Sequence, residues 1–351
     1  MRLLGASACM VMLALLGACG GTAATGGAGS SSTSLHFSNS GAPDLRGVTL
    51  HVGNAAGDAT IGDTAVYILV QTLKRWGADA TLTLGDSNTT QLAVLSGQLQ
   101  ATAGPLPTDL NAGLNIFGDN QVHVDYLMVS KNLTKLNQIK SKTVAIATTV
   151  SPDNYLLDGA LSKVGLSRSN VSVQLTGSNG NSVNQMIQGK VDVAFVHADA
   201  LLTLNKHGTF NVLANGATLQ PWDADSYVAA TPSWLKAHPD IAEAIDLAWL
   251  HAANVFDHQR SVWIQNALTY TKNAQSAQDV AAGYDALAKA QPWPDDGSGM
   301  SQSILRKNYD ASKQAGQITG RGLRPISQWA DTAPWQAAVS YFNAHRKAIE
   351  A

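Results

Sequence analysis

Between residues 143 and 197 the apolar positions alternate between strand-like and helix-like spacing. Thr143-Val-Ala-Ile-Ala147 is bounded by turn residues and reads as a strand. Ser151-Pro152 then opens a helix, with serine as N-cap and proline at the first helical position. Tyr155, Leu156, Leu157, Leu161 and Val164 keep a helical period until Gly165 stops it. Val171-Ser-Val-Gln-Leu175 is a second strand, residues 180–188 a second helix closed by Gly189, and Val191-Asp-Val-Ala-Phe-Val196 a third strand. The order βαβαβ is the half-unit of an open parallel sheet.

The same order occurs earlier in the chain. Val48-Thr-Leu-His-Val52 reads as a strand, Tyr67 to Trp76 as a helix closed by Gly77, and Ala80-Thr-Leu-Thr-Leu84 as a strand. Leu92 to Ser96 is helical up to Gly97, and Leu99-Gln-Ala-Thr-Ala103 is the third strand. Two copies of one α/β half-unit predict two lobes. Parallel sheets take ligands beyond the carboxyl ends of their strands, so facing lobes would share one cleft. The alternative is one larger domain with a continuous sheet and no cleft.

Val122-His-Val-Asp-Tyr-Leu-Met-Val129 leads from the first copy into the second, and Asp225-Ser-Tyr-Val-Ala-Ala-Thr-Pro232 is the expected return. Two such crossings make a hinge. Lobe 1 is therefore expected over residues 44–130 and 221–351, and lobe 2 over residues 131–220. From Pro232 onward the pattern is helical: Pro239 to Asp257, Val262 to Tyr270, Asp279 to Ala290, Ser301 to Gln314 and Trp335 to Ile349. Seven of the eight tryptophans lie after residue 220, and they read as packing anchors between these helices and the first sheet. Trp222, beside the return crossing, stands either for packing or for an aromatic stacked on a ligand.

Composition changes the picture at the N-terminus. Arg2 precedes the apolar run Leu3–Leu16, too short to span a bilayer and of signal-peptide form. It ends in Leu16-Gly17-Ala18-Cys19, which resembles the bacterial lipobox, with Cys19 taking the lipid. Plain secretion with an accidental cysteine is the other reading. Cys9 and Cys19 are the only cysteines, and Cys9 leaves with the signal, so Cys19 alone remains and no disulfide is expected. Residues 20–43, rich in Gly, Ser, Thr and Ala, read as a flexible tether of roughly 25–30 Å root-mean-square reach. The body would sit outside the cytoplasm in the cell envelope, lipid-anchored to a bacterial membrane. Without residues 1–19 the chain carries 22 basic and 25 acidic side chains, formally −3, which argues against nucleic acid as a partner.

Several stretches resemble solute-binding lipoproteins of ABC importers, in particular the nitrate/sulfonate/taurine and thiamine-precursor-binding group. They include Leu95-Ser-Gly-Gln-Leu99 leading to Ala103-Gly-Pro105, and Leu136-Asn-Gln-Ile-Lys-Ser-Lys-Thr-Val-Ala-Ile-Ala147. Met186-Ile-Gln-Gly-Lys-Val-Asp-Val-Ala194, Ala230-Thr-Pro-Ser-Trp-Leu-Lys-Ala-His-Pro239 and Asp310-Ala-Ser-Lys-Gln-Ala-Gly-Gln-Ile318 follow in the same order. The resemblance implies an α/β, two-lobed type II periplasmic-binding-protein fold with the α-helical C-terminal region packed on the first lobe. It also implies a small-molecule ligand, an ABC permease with its ATPase as partner, no cofactor and no catalysis. The binding loops implied are Gly53–Asp58, Gly104–Leu106, Thr148–Tyr155 and His197–Asp199. Candidate ligand contacts are Asn54, Asp58, Gly104, Pro105, Thr149, Ser151, Asn154, Tyr155, His197, Asp199 and Trp222.

The chemistry of these loops leaves the ligand open. Ser151 to Asn154 opens a helix whose free N–H groups suit an anion, unless Ser151 and Asp153 merely cap it. No Arg or Lys lies within Thr148–Leu157 or Gly53–Thr64, so no charged clamp for an anion is visible. Asp58 and Asp63 would pair with an amine, or stand as helix N-terminal acids facing water. His197 and Asp199, after a strand end, form a polar pair able to hydrogen-bond a ligand. No G-x-x-x-x-G-K-[ST], H-E-x-x-H, C-x-x-C or G-x-S-x-G occurs. An enzyme of the pyrimidine-precursor synthase type remains an alternative, although the mature chain lacks the cysteine cluster of those relatives. A sensory lipoprotein is a second one.

Overall fold

The computed structural model describes residues 35–39, 41–56, 59–121, 126–220, 224, 226–293 and 295–350. Two separate five-stranded sheets result, with the same internal order. The first holds β1 (Thr49–Asn54), β2 (Asp79–Leu84), β3 (Ala101–Gly104), β4 (Asn115–Gln121) and β10 (Ser226–Ala230), arranged β2-β1-β3-β10-β4. The second holds β5 (Tyr126–Ser130), β6 (Thr143–Ile146), β7 (Ser172–Leu175), β8 (Val193–His197) and β9 (Asn211–Asn215), arranged β7-β6-β8-β5-β9. In each, three parallel strands are followed by one antiparallel strand that enters from the other half of the chain. The continuous-sheet alternative is thereby excluded.

Both crossings are tighter than expected. Tyr126–Ser130 already pairs with β8 and β9, and Ser226–Ala230 already pairs with β3 and β4. The chain therefore changes sheet between Gln121 and Tyr126, and returns between Asn215 and Ser226. Residues 122–125 lie outside the described residues. An alternating run reveals a strand, but not which of two sheets claims it.

In lobe 2 the alternation dictates the layering. Met128, Val144, Ile146, Val193 and Phe195 face α4 (Pro152–Lys163) through Leu156, Leu157 and Leu161. Their neighbours Val129, Ala145, Ala194 and Val196 face the opposite side, against Val183 and Met186 of α5 (Asn179–Ile187) and Leu204 of α6 (Ala200–Asn205). Both sheet faces are covered, as a parallel sheet requires. The short α7 (Gly216–Leu219) precedes the return.

Lobe 1 packs α1 (Thr64–Arg75), α2 (Ser87–Leu95) and α3 (Leu106–Ala112) on its sheet, with α8 (Pro232–Ala237) and the long α9 (Pro239–His258) after β10. Helices α10 (Arg260–Tyr270), α11 (Ala277–Ala288), α12 (Gln302–Gln314) and α13 (Ala333–Glu350) complete it. Every side chain of α9 from Ala244 to Phe256 is buried. Trp249 donates its indole N–H to the carbonyl of Asn120 at 3.1 Å and meets Trp335 edge-on at 5.4 Å. Phe256, Trp263 and Trp293 form a second aromatic knot with ring centroids 4.8–4.9 Å apart. These tryptophans are packing anchors.

The packed body begins earlier than the composition suggested. Leu35 is buried in the lobe 1 core, Phe37 stacks on Tyr341 at 4.1 Å, and the Tyr341 hydroxyl donates to the carbonyl of Gly41 at 2.7 Å. Residues 35–39 and 41–43, read as part of the tether, are thus held on the body, Leu35 in the core and Phe37 and Gly41 against α13. Two strands were missed. β4 carries Gly118-Asp-Asn-Gln121, too polar to read as a strand, yet it is buried because α9 covers it. β9 is a short edge strand without strong alternation.

Candidate functional site

Of the loops at the carboxyl ends of the parallel strands, those after β6 and β8 meet lobe 1 across the gap between lobes, through Thr149, Ser151 and Asp199. The gap is bridged on both flanks. Lys206 of α6 pairs with Asp279 of α11 at 2.8 Å. Beside it, Ala198 packs into the lobe 1 core, and a Cβ placed on Gly283 of α11 would lie 3.6 Å from Cβ of Asp199. On the other flank Gln317, which follows α12, donates its amide N–H to the carbonyls of Thr149 at 3.0 Å and Ser151 at 3.2 Å. A cavity of about 640 Å³ opens there, between Thr149, Asn154 and Arg168 of lobe 2 and Asn111, Gln314 and Gln317 of lobe 1.

On the lobe 1 rim, Asn54 is 3% exposed and donates its side-chain amide to Asp63 at 3.1 Å. The Thr60 hydroxyl donates to the other oxygen of Asp63 at 2.5 Å, so this half-buried acid is held within its own loop. Asp58 and Trp222 lie outside the described residues. Gly104 is buried at the end of β3, and Pro105 opens α3 as its N-cap. Behind Gly104 stands Asp109, completely buried, its Oδ1 accepting the Gln91 amide N–H at 2.9 Å.

In lobe 2 the loop after β6 is knotted on itself. Ser151 makes no side-chain bond to the N–H groups of its helix among the described residues. Its hydroxyl accepts from the N–H of Thr148 at 2.9 Å and faces the Asp153 carboxylate, so the expected cap is a loop brace instead. Asp153 also accepts the Ala147 N–H at 2.6 Å. It is fully buried, and burial pushes its carboxyl up to about 6 against the lowering effect of those donors and of nearby His197. Asp153 thus braces the loop between β6 and α4, while the Asn154 N–H goes to the Ser151 carbonyl at 3.1 Å. Asn154 donates to the Thr149 carbonyl at 2.8 Å, which fixes the loop. Tyr155 points into the lobe 2 core at 6% exposure.

His197, at the end of β8, lies with its ring centroid 4.3 Å from that of Tyr126. Asn179, the first residue of α5, donates to the Tyr126 hydroxyl at 2.8 Å and lies 2.9 Å from Nε2 of His197. The start of β5, the end of β8 and the turn after β7 therefore converge. Sequence reasoning named His197 but missed Tyr126, Asn179, Asp109 and Gln317. Asn179 carried a usable signal, being a polar residue at a helix start just beyond a strand. Tyr126 and Gln317 carried none, because their positions depend on the crossing and on the lobe–lobe contact.

The profile of a protein family described as NMT1/THI5 like matches residues 81–257, half of the chain. The chain belongs to the NMT1/THI5-like family. Known structures extend the likeness of this NMT1/THI5-like chain to almost the whole body. The ligand-binding component of an ABC-type import system from Staphylococcus aureus, solved with zinc bound, superposes with a TM-score of 0.69 at 13% identity, over 83% of this chain and 99% of that one. The nitrate-binding protein NrtA from Synechocystis PCC 6803 gives 0.68 at 11% identity, over 88% and 92%. The aliphatic sulphonate-binding protein SsuA from Escherichia coli gives 0.64 at 14% identity, over 80% and 91%. No curated protein sequence matches significantly. The NMT1/THI5-like chain has the type II periplasmic-binding-protein fold, with its C-terminal helices on the first lobe.

Proposed function

We infer that the chain is the solute-binding component of an ABC importer, closing two lobes over a small polar or heteroaromatic molecule and handing it to a permease. One observation carries this reading: two sheets of equal topology turn their ligand-side loops toward each other and touch at Gln317–Thr149 and Lys206–Asp279. Lobe 1 comprises Leu35–Gln121 and the chain from Ser226 onward, and lobe 2 comprises Tyr126–Asn215. The structural relatives, a nitrate-binding protein, a sulphonate-binding protein and a component of an ABC-type import system, support the role and leave the ligand open.

A lipid on Cys19 holds the body at the outer side of a bacterial membrane, residues 20–34 serving as the tether. Among the described residues no helix is long and apolar enough to cross a membrane, so anchoring rests on Cys19. Cys19→Ser is expected to move the protein from the membrane to the soluble fraction. Retention in the membrane fraction would contradict the anchor.

The receptor reading is tested by thermal melting of the purified chain against nitrate, sulfonates, pyrimidines and amines. A ligand at a hundred times its Kd stabilises the folded state by about 2.7 kcal/mol, which shifts the melting temperature by several degrees. Chemical turnover of the compound that binds would favour the synthase alternative.

A further inference from the structure

Lobe 2, from Tyr126 to Asn215, carries eight lysines and arginines against four aspartates. The whole chain carries 23 basic against 25 acidic side chains, so the rest of it is net acidic. Two of the eight are neutralised: Arg168 pairs with Asp158 at 2.6 Å, and Lys206 pairs with Asp279 of lobe 1 at 2.8 Å. The other six are Lys131, Lys135, Lys140, Lys142, Lys163 and Lys190, and none forms an ion pair among the described residues. Lys142 is half-buried and the other five are exposed.

The topology puts all six at one pole of the lobe. Lys142 and Lys190 stand just before β6 and β8, whose far ends carry the loops that meet lobe 1. Lys131 follows β5, which runs antiparallel to β8, and Lys135 and Lys140 lie in the connection from β5 to β6. Helix α4 starts at the cleft end and comes back to finish at Lys163. The Ser130 hydroxyl donates to the Asp192 carbonyl at 2.7 Å, and the Asp192 carboxylate accepts the Thr143 N–H at 2.9 Å. Those bonds stitch the segments together and engage the acid that lies among the lysines. Of the lobe's other aspartates, Asp153 and Asp199 lie toward the cleft, and Asp158 is the partner of Arg168.

Six ammonium groups of one sign are thus spread over loops, and none of them lines the flank cavity. That arrangement suits an extended anionic surface rather than a single small anion, because the attraction adds up lysine by lysine. We propose that the pole of lobe 2 opposite the cleft rests on the anionic headgroups of a bilayer. The Cys19 anchor of the proposed function brings such a surface within reach, but the contact belongs to lobe 2 and does not need the lipid.

The test is cosedimentation of the mature chain, carrying Cys19→Ser to remove the lipid, with two kinds of vesicle. One is phosphatidylcholine with one-third phosphatidylglycerol, the other phosphatidylcholine alone. At low salt the anionic vesicles should take up at least tenfold more protein. Raising the salt from about 0.1 M to about 1 M shortens the screening length from about 10 Å to about 3 Å and should abolish the difference. Lys131→Glu, Lys140→Glu and Lys190→Glu together should cut uptake at least tenfold with an unchanged melting temperature, since these side chains are exposed. Lys140→Glu alone should cut it severalfold, which keeps the test open if the triple variant fails to fold. Lys236→Glu, Lys272→Glu and Lys307→Glu, all exposed in lobe 1, should leave uptake within twofold. Equal uptake by both vesicles, uptake unmoved by the lobe 2 reversals, or an equal loss with the lobe 1 reversals overturns the proposal. The first of these would make an acidic protein face the occupant of this pole instead.

Discussion

The side-chain amide of Gln317 donates to the main-chain carbonyl of Thr149 at 3.0 Å, across a gap between two lobes and 168 positions along the chain. Gln317 is only 4% exposed, and its own carbonyl takes the Asn111 amide at 2.7 Å, so it is anchored in lobe 1 while it grips lobe 2. The contact is possible only with the lobes together. On the receptor reading it favours the shut arrangement over an open one.

Gln317→Ala should shift the balance toward the open arrangement. One N–H shared between two carbonyls contributes about 1 kcal/mol, which corresponds to roughly fivefold weaker solute binding. Calorimetry with any compound found to bind would measure it. Unchanged affinity would mean that Gln317 bridges the lobes without biasing them.

Asp153 makes stability depend on pH in a definite direction. Its folded-state value of about 6 lies above the ordinary 3.8, so the folded chain favours the protonated form. Its penalty is absent below about pH 4, grows as pH rises toward 6, and is constant above; the full size is about 3 kcal/mol. Asp153→Asn should remove this loss between pH 4 and 6 in denaturant titrations. An unaltered pH profile would contradict the assignment.

His251 acts in the opposite sense. Burial first, and then the Arg75 guanidinium whose nitrogen lies 3.2 Å away, pull its value down to about 4 from 6.5. The folded chain thus favours the neutral ring, and stability complete above about pH 6.5 is lost as pH falls toward 4. His251→Gln should flatten acid denaturation in that window. A melting curve as pH-sensitive as the wild type's would show that the ring titrates freely.

These sites also mark where the sequence was readable. Period-two alternation at Val144, Ala145 and Ile146 and the glycine stops at Gly77, Gly165 and Gly189, all at positive φ, made the two half-units legible. The rim loops followed from strand polarity, which brought Asn54, Gly104, Ser151 and His197 into view. What stayed hidden depends on three-dimensional neighbours. Asp109 reads as an ordinary helix acid until Gly104 and Gln91 are seen around it. Ser151 reads as a cap until its hydroxyl is found on Asp153 and Thr148. β4 was invisible because Asp119 is polar and Gly118 breaks the alternation, and only the covering helix α9 explains both.

Gly118 supplies a check on that packing. A Cβ there would lie 2.0 Å from Oδ1 of Asp246 on α9, so this completely buried carboxyl would have to move within the packed interface. Gly118→Ala should therefore cost about 3 kcal/mol in denaturant unfolding, and Asp246→Ala in the same chain should restore most of it. Normal stability of the single variant would mean that α9 and β4 are farther apart than described.

The lobes' capacity to shut around a solute is tested most directly by pulsed electron spin resonance on labels at Leu92→Cys and Leu175→Cys, with Cys9 and Cys19 replaced by serine. Both leucines are exposed, at 66% and 56%; Leu92 lies on α2 in one lobe and Leu175 ends the edge strand β7 in the other. Two distance populations should exist without solute, and saturation with a compound that binds should leave only the shorter one. A single distribution, identical with and without bound compound, would contradict closure.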